Sequence, residues 1–244
     1  MISVTIIIKN GERHLEQVLD ALKKFDEVLL FDTGSTDRTL EIAQKFSNTR
    51  ICHGELKGFG QAHNDAAALA KHDWILSVDA DEVVSPELVE EIKNEKIDPK
   101  CIYSIPFHNY YRGKRVRWCG WDPESHIRLY NRKETKFTDA HVHEGVEKSG
   151  MNVRRLNKPI LHYSYASISD FLVKMERYSS LFVEQNRGKR SSPFKAVAHG
   201  MGGFFKSYFL KRGFLGGYRG FLISMAIGHT AFYKYMKLYE VQCS

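Results

Sequence analysis

An apolar run that ends in two aspartates constrains this chain more than any other stretch: D-W-I-L-S-V-D-A-D-E, residues 73–82. Trp74, Ile75, Leu76 and Val78 prefer strands. Polar residues 71–73 precede the run, and Ser85-Pro86-Glu87, a helix start, follows it. A short apolar segment with such limits reads as a strand of a parallel sheet, buried on both faces. Asp79 and Asp81 then stand at its carboxyl end, where open α/β sheets hold their ligands. Two carboxylates one residue apart suit a hard divalent cation with positions left for phosphate oxygens. Two solvated loop aspartates would give the same pattern, so the neighbouring segments must decide.

Before this strand the sequence alternates three times between strand and helix signals. A first strand spans about residues 3–8, followed by K-N-G-E and a helix with Leu15, Val18, Leu19 and Leu22 at helical spacing. With no basic segment or cleavage site ahead of it, the N-terminus reads as that strand and not as a signal peptide. A second strand, 27–31, ends at Asp32 and opens D-T-G-S-T-D-R-T, a glycine turn whose Ser35, Thr36 and Asp37 can cap the next helix. A weaker strand at 50–52 precedes G-F-G-Q-A-H-N-D-A-A-A, a glycine turn opening an alanine-rich helix. Short connections of this kind make right-handed βαβ units, so the first half is expected to be a doubly wound, mostly parallel sheet.

Past residue 94 the pattern changes to short, largely antiparallel strands, expected at 102–107, 109–112, 116–119 and 126–130. Residues 133–158 read as irregular. A last strand at 160–163 leads into a helix over about 169–185, with Phe171, Leu172, Met175, Tyr178, Leu181 and Phe182 on one face. The expected organisation is a catalytic domain over 1–165, with a nucleotide-binding half at 1–95 and an acceptor half at 96–165. A basic, aromatic helical region follows over 166–244.

Charge sharpens that division. The net charge is +7, yet residues 185–244 carry ten lysines or arginines against one acid, Glu240, which leaves the body near neutral. Such asymmetry points to an anionic partner surface. The longest uncharged run, 220–233, is too short to span a bilayer, which needs about 18–20 residues. Positions 214, 218, 221, 225, 232, 236 and 239 follow helical spacing, as in a helix lying on anionic lipid. Packing on the catalytic body, or on a second copy in a homodimer, is the plainer alternative. The four cysteines form no C-x-x-C pair or zinc spacing, which suits a reducing compartment.

S-V-T-I-I-I-K-N-G-E, L-L-F-D-T-G-S-T-D-R-T, G-F-G-Q-A-H-N-D-A-A-A and W-I-L-S-V-D-A-D-E, in that order and spacing, resemble the family 2 glycosyltransferases of the GT-A fold. The resemblance covers about the first 90 residues. It implies that Lys9, Glu12 and Asp32 line a nucleotide pocket, with Asp32 accepting from uracil and Ser35 in the adjoining turn. Phe59, Gln61 and Asn64 would flank nucleotide and donor sugar. Asp79 would contact the ribose side and share in holding Mn2+ or Mg2+. Asp81 would be the main ligand of the metal that bridges the diphosphate of a UDP-sugar. Many relatives carry two adjacent acids at the second block, whereas this chain has Asp32-Thr33, so the resemblance does not carry a second ribose contact over to this position.

W-D-P-E-S-H-I-R-L-Y-N-R followed by H-V-H-E-G-V is similar to a subgroup that includes lipopolysaccharide-core β-1,4-glucosyltransferases. That likeness implies an inverting transfer of a hexose, glucose by analogy, to a membrane-anchored glycolipid acceptor. It makes Glu144 the candidate base, with His143 and His141 orienting it or touching phosphate. His162 is a candidate further metal ligand. Arg128 can pair with diphosphate or form an ion pair on the sheet, and Trp118 and Trp121 can stack on a sugar or serve as buried aromatic edge. The tail is also like that of these enzymes, whose acceptors sit in the cytoplasmic leaflet. The expected location is therefore the inner face of the cytoplasmic membrane, reached through residues 193–239.

Two other functions share part of this pattern. Four apolar positions followed by D-x-D-x-V also fit the first motif of haloacid-dehalogenase phosphatases. That fold normally opens with this strand and needs a later Gly-Asp pair, and no Gly-Asp dipeptide occurs in the chain. A nucleic-acid-binding protein would explain the basic tail, but the aromatics there follow helix periodicity and not the alternation of a base-stacking sheet. No nucleic-acid partner is expected.

Overall fold

The computed structural model describes residues 1–138 and 145–243. The elements run β1 (Ile2–Ile8), α1 (Glu12–Ala21), β2 (Glu27–Asp32), α2 (Thr39–Ala43), β3 (Thr49–His53), α3 (Phe59–Leu69) and β4 (Trp74–Ser77). Next come β5 (Glu82–Val84), α4 (Pro86–Asn94), β6 (Cys101–Tyr111), β7 (Lys114–Arg115), β8 (Glu124–Asn131), β9 (Asn152–Arg155) and β10 (Ile160–Tyr165). The chain ends in α5 (Ile168–Gln185), α6 (Pro193–Phe205), a π-helical turn (Lys206–Leu210), a 3-10 turn (Gly213–Gly216) and α7 (Gly217–Cys243). Two compact units emerge: Met1–Phe107 with Glu124–His162, and His108–Pro123 with Tyr163–Ser244.

The first unit has the α/β fold that the alternation implies. Its sheet runs β3-β2-β1-β4-β8-β6-β10-β5, parallel through β3, β2, β1 and β4 and antiparallel from β4 to β8 and from β8 to β6. The antiparallel strands thus extend the same sheet. β2 is buried at every position and β1 at all but one, as expected of strands covered on both faces. α1 turns Leu15, Val18 and Leu19, spaced to share one face, into the core. The other face holds Leu29, Phe31, Ala62, Ala66, Ile75, Ile102 and Tyr130; the alanines of α3 let that helix lie close to the strands. α4 starts at Ser85, whose hydroxyl accepts from the Leu88 amide at 3.2 Å, with Pro86 at the first helical position.

Buried Glu27, at the start of β2, holds the sheet edge remote from Asp32. It accepts from the Ser3 hydroxyl at 2.6 Å, from Arg50 Nε and Nη2 at 3.0 and 2.8 Å, and from the Lys71 amide at 2.7 Å. Burial opposes its charge, yet these donors hold its pKa below the usual value.

Several expectations for the middle of the chain need correction. Residues 102–107 and 109–112 are not two strands but one, β6, with alternating burial throughout most of its length. Residues 116–119 are not a strand; β7 is the two-residue return of the hairpin after β6, and Cys119 has a positive φ of 65° that ends extended structure. The 133–158 region contains β9, parallel to β6, and a bridge between Phe137 and Val146. Glu82–Val84, which carried no strand expectation, pairs with β10.

In the second unit α5 begins with a capping box in which the Ser167 and Asp170 side chains each meet the other's backbone. α6 and α7 cross at glycines. A Cβ at Gly228 would stand 2.9 Å from the Gly200 carbonyl oxygen and 3.1 Å from Phe204 Cβ. Tyr111, Val116, Cys119, Phe171 and Ile223 form the core here, with Trp118 and Trp121 packed against it. Lys237 ties α7 to α5 through Glu176 at 2.7 Å and Ser180 at 2.9 Å. Among the described residues no helix is long and apolar enough to cross a membrane.

Candidate active site

Strand register sets the site. Ile8, Asp32 and His53 are aligned across β1, β2 and β3, and Thr5 faces Ser77 of β4. Lys9, Asp32 and Asp79 therefore leave the sheet at its carboxyl edge, where a parallel sheet presents ligand-binding loops.

The first two loops are laced together. Asn10, at a φ of 56°, accepts from the Thr36 amide at 2.7 Å, and its own amide donates to the Ser35 hydroxyl at 3.0 Å. The Glu12 carboxylate accepts from the Arg38 amide at 3.0 Å, and the Glu12 amide donates to Asp37 at 3.2 Å. Lys9 is exposed beside this knot. Asp32 is buried and turned into its own turn. It accepts from the Gly34 amide at 3.2 Å and the Ser35 amide at 3.1 Å, and lies 3.3 Å from His53 Nδ1. Desolvation opposes its charge, but these donors outweigh it and hold the carboxyl below the usual aspartate range.

At the end of β4 the turn D-A-D-E is braced twice. The Asp79 amide donates to Glu82 Oε2 at 3.0 Å, and the Glu82 amide donates to the Asp79 carbonyl at 3.0 Å. The antiparallel pairing of β8 with β4 brings Arg128 alongside, and Arg128 Nη2 donates to Asp79 Oδ2 at 2.9 Å and to Glu82 Oε1. The guanidinium also lies 5.4 Å from the Phe107 ring centroid. Burial raises the Glu82 pKa well above normal. At Asp79 desolvation pushes the same way, but the Arg128 charge, with help from His63, wins and holds that carboxyl low. Arg128 is raised, since its two acids overcome its own desolvation.

Asp81 points elsewhere. β10 pairs with β5 so that His162 faces Glu82, which places His162 Nε2 3.6 Å from Asp81 Oδ1. Among the described residues no three His, Cys, Asp or Glu side chains form a ready metal cluster. An oxygen and an imidazole nitrogen at this separation nevertheless suit neighbouring positions of one coordination shell, which leaves the remainder for phosphate and water oxygens. The donor set fits a divalent cation as a partial set, with Asp79 committed to Arg128.

Of the α3 residues, Gln61 donates to Asp65 at 2.7 Å and Phe59 is half-buried. Asn64 uses both ends of its amide on one residue, accepting from the Phe137 amide at 2.9 Å and donating to the Phe137 carbonyl at 3.0 Å. Glu144, His143 and His141 lie outside the described residues. Trp121 stacks on Tyr165 at 5.3 Å inside the second unit, and Trp118 packs there as well.

Three residues escaped the motif reading. Glu82 is the buried counter-charge of Arg128, and His53 touches Asp32. His63 is buried, lies 3.1 Å from the Ser77 hydroxyl and stacks on Phe137 at 4.0 Å. Burial pushes His63 down to about 4, so it is neutral at physiological pH. Glu82 and His63 lie inside quoted motifs, and His53 follows the strand signal at 50–52.

The sequence matches the family described as glycosyl transferase family 2 over residues 3–174. An uncharacterised glycosyltransferase of Rickettsia felis is 31% identical over 255 residues, covering 98% of this chain and 89% of its own. The lipopolysaccharide core biosynthesis glycosyltransferase LpsC of Rhizobium meliloti is 24% identical, covering 98% and 92%. Among solved structures, Staphylococcus aureus TarS 1–349 in complex with UDP-GlcNAc is similar at a TM-score of 0.48 and 17% identity, covering 98% and 89%. The chain belongs to glycosyl transferase family 2 and is a glycosyltransferase.

Proposed function

We propose that this glycosyltransferase moves a hexose, with glucose as the first candidate, from a UDP-sugar to a membrane-anchored glycolipid such as a lipopolysaccharide inner core, with inversion at the anomeric carbon. The observation that carries the proposal is the convergence of Asp32, Asp79 and Asp81 at the carboxyl edge of one parallel sheet, with His162 beside Asp81. The similarity to LpsC supports the choice of acceptor.

In this reading Lys9, Glu12, Ser35 and Asp32 shape the nucleotide end, and Asp32 exchanges a bond of its own turn for one from uracil. Phe59 and Gln61 border the donor. Asn64 acts from behind, by fixing Phe137. Asp81 and His162 would hold Mn2+ or Mg2+, which supplies positive charge against the diphosphate. Arg128 keeps Asp79 ionised and in place toward the ribose. Glu144, oriented by His143, takes the proton of the acceptor hydroxyl. The acceptor oxygen then bonds to the anomeric carbon as the bond to the diphosphate breaks and UDP leaves.

The site is brought to its acceptor by residues 193–239, which lie on an anionic leaflet at the inner face of the cytoplasmic membrane. Phe205, Phe209, Leu210, Phe214 and Leu215 are exposed, next to Lys206, Lys211 and Arg212. Apolar side chains interleaved with cations suit a lipid interface.

The test is a thermal-shift screen of UDP-, GDP- and dTDP-sugars with and without manganese, since a ligand bound only by the folded form raises the melting temperature. UDP-glucose with manganese should stabilise the wild type and not Asp81→Ala. Equal stabilisation of both proteins would remove Asp81 as a metal ligand, and no response to any UDP-sugar would overturn the donor.

A further inference from the structure

The second unit holds a cavity of about 460 Å3 between α5 and α7, a size within the ordinary range of small-ligand sites. Phe182 and Ile227 give it apolar walls over a floor of core side chains, and its polar members include Lys174, Lys234, His199 and Thr230. Among the described residues no aspartate or glutamate lines it. The Lys174 ammonium stands 4.4 Å from the Tyr165 ring centroid and the Lys234 ammonium 5.5 Å from that of Phe182. Lys237, one turn nearly on from Lys234, is already neutralised by Glu176, whereas Lys234 has no carboxylate within ion-pair distance among the described residues.

The half-buried Lys234 ammonium over a ring face is held by weak attraction where water reaches it. A phosphate is a far stronger partner for it. The aliphatic and aromatic walls ask for something apolar on the same molecule, since a bare inorganic anion would leave them wet. The surrounding segment, residues 185–244, is strongly cationic, which favours an anionic occupant before any contact is made.

We propose that this cavity is a binding site for a phosphate-bearing amphiphile, with the phosphate at Lys234 and His199 and the apolar body on Phe182 and Ile227. The source is a membrane phospholipid. For that source alone the inference rests on the membrane contact proposed above, and it gives that contact a headgroup preference. It does not involve the nucleotide-sugar site.

The experiment is isothermal titration calorimetry of the intact protein with a short-chain phosphatidic acid, dihexanoyl, below its micelle concentration. No bilayer is present, so failure of vesicle binding and failure of the cavity are separate results. Dihexanoyl phosphatidylcholine and inorganic phosphate are the comparison ligands. Phosphatidic acid should bind, and Lys234→Ala should weaken it about tenfold or more, the weight of one charge-assisted hydrogen bond. Lys234→Arg should retain binding and Ala226→Phe, which fills the cavity, should abolish it. Lys96→Ala removes equal charge in the first unit, away from the cavity, and should change nothing. Absence of phosphatidic acid binding, equal binding of phosphatidylcholine, equal binding of inorganic phosphate, or insensitivity to both Lys234→Ala and Ala226→Phe in proteins that melt normally would each overturn the proposal.

Discussion

Replacing Arg128 with methionine removes the charge that two acids share, and with it the guanidinium over Phe107, and keeps most of the aliphatic stem. Glu82 is 1% exposed and loses its guanidinium partner, while Asp79, at 44%, keeps access to water. Breaking a buried pair by removing one partner costs about 3–5 kcal/mol, and screening at Asp79 argues for the low end, about 3 kcal/mol. For a chain of this size that is a fall of roughly 6–12 °C in melting temperature. The pH dependence gives a second handle. Without Arg128 the influence that lowers both carboxyls is gone, so both folded-state values rise. An acid raised in the folded state contributes stability that is present below its unfolded value and lost as pH rises. The deficit should therefore be largest near pH 7 and shrink as pH falls through about 4.5. Urea denaturation of both proteins between those limits measures it, and Glu82→Gln added to Arg128→Met should recover part of the loss. A deficit under about 1 kcal/mol, or one that grows on acidification, would refute the assignment of Arg128 as the charge that stabilises this turn.

Three further outcomes are expected. Glu144→Gln should bind UDP-glucose normally yet lose transfer by about 10²–10⁴-fold, the usual weight of a general base; near-normal turnover clears Glu144 of that role. His63 is lowered by burial to about 4, so the stability present above its unfolded value fades as pH falls from about 6.5, by roughly 3 kcal/mol in all. His63→Phe should flatten that decline in denaturation curves, and an unchanged slope contradicts the burial argument. Leu210→Asp should weaken sedimentation with anionic vesicles several-fold without altering the melting temperature, because Leu210 is 77% exposed; undiminished vesicle binding would move the membrane contact elsewhere.

How far the sequence reveals this molecule depends on which signal each residue carries. β1, β2 and β4 are legible because strands covered on both faces need unbroken apolar runs, and Asp32, Asp79 and Asp81 are legible because those runs stop there. β9 is not, since Asn152–Arg155 is exposed at all four positions and has no alternation to read. Glu82 reads as one more polar residue after D-A-D. Only the pairing of β8 with β4 shows that Arg128 reaches it, and that register is a tertiary fact. The G-F-G-Q-A-H-N-D block announces a functional helix but not how its members divide. Gln61 faces solvent, His63 goes under Phe137, and Asn64 is used up on the Phe137 backbone. The membership of residues 108–123 in the second unit leaves no mark in composition at all.

Glu27 also bears on how this scaffold can vary. One carboxylate clasps β1 through Ser3, β3 through Arg50 and the approach to β4 through Lys71, all at the rim farthest from the ligand loops. The sheet is thus clamped at its heel, and the loops at its toe are relieved of holding the strands in order. Residues around Asp32 or Asp81 can then change while the frame stays put. By the same reasoning, injury to the heel through Glu27→Ala should loosen every strand together and leave no donor specificity to measure.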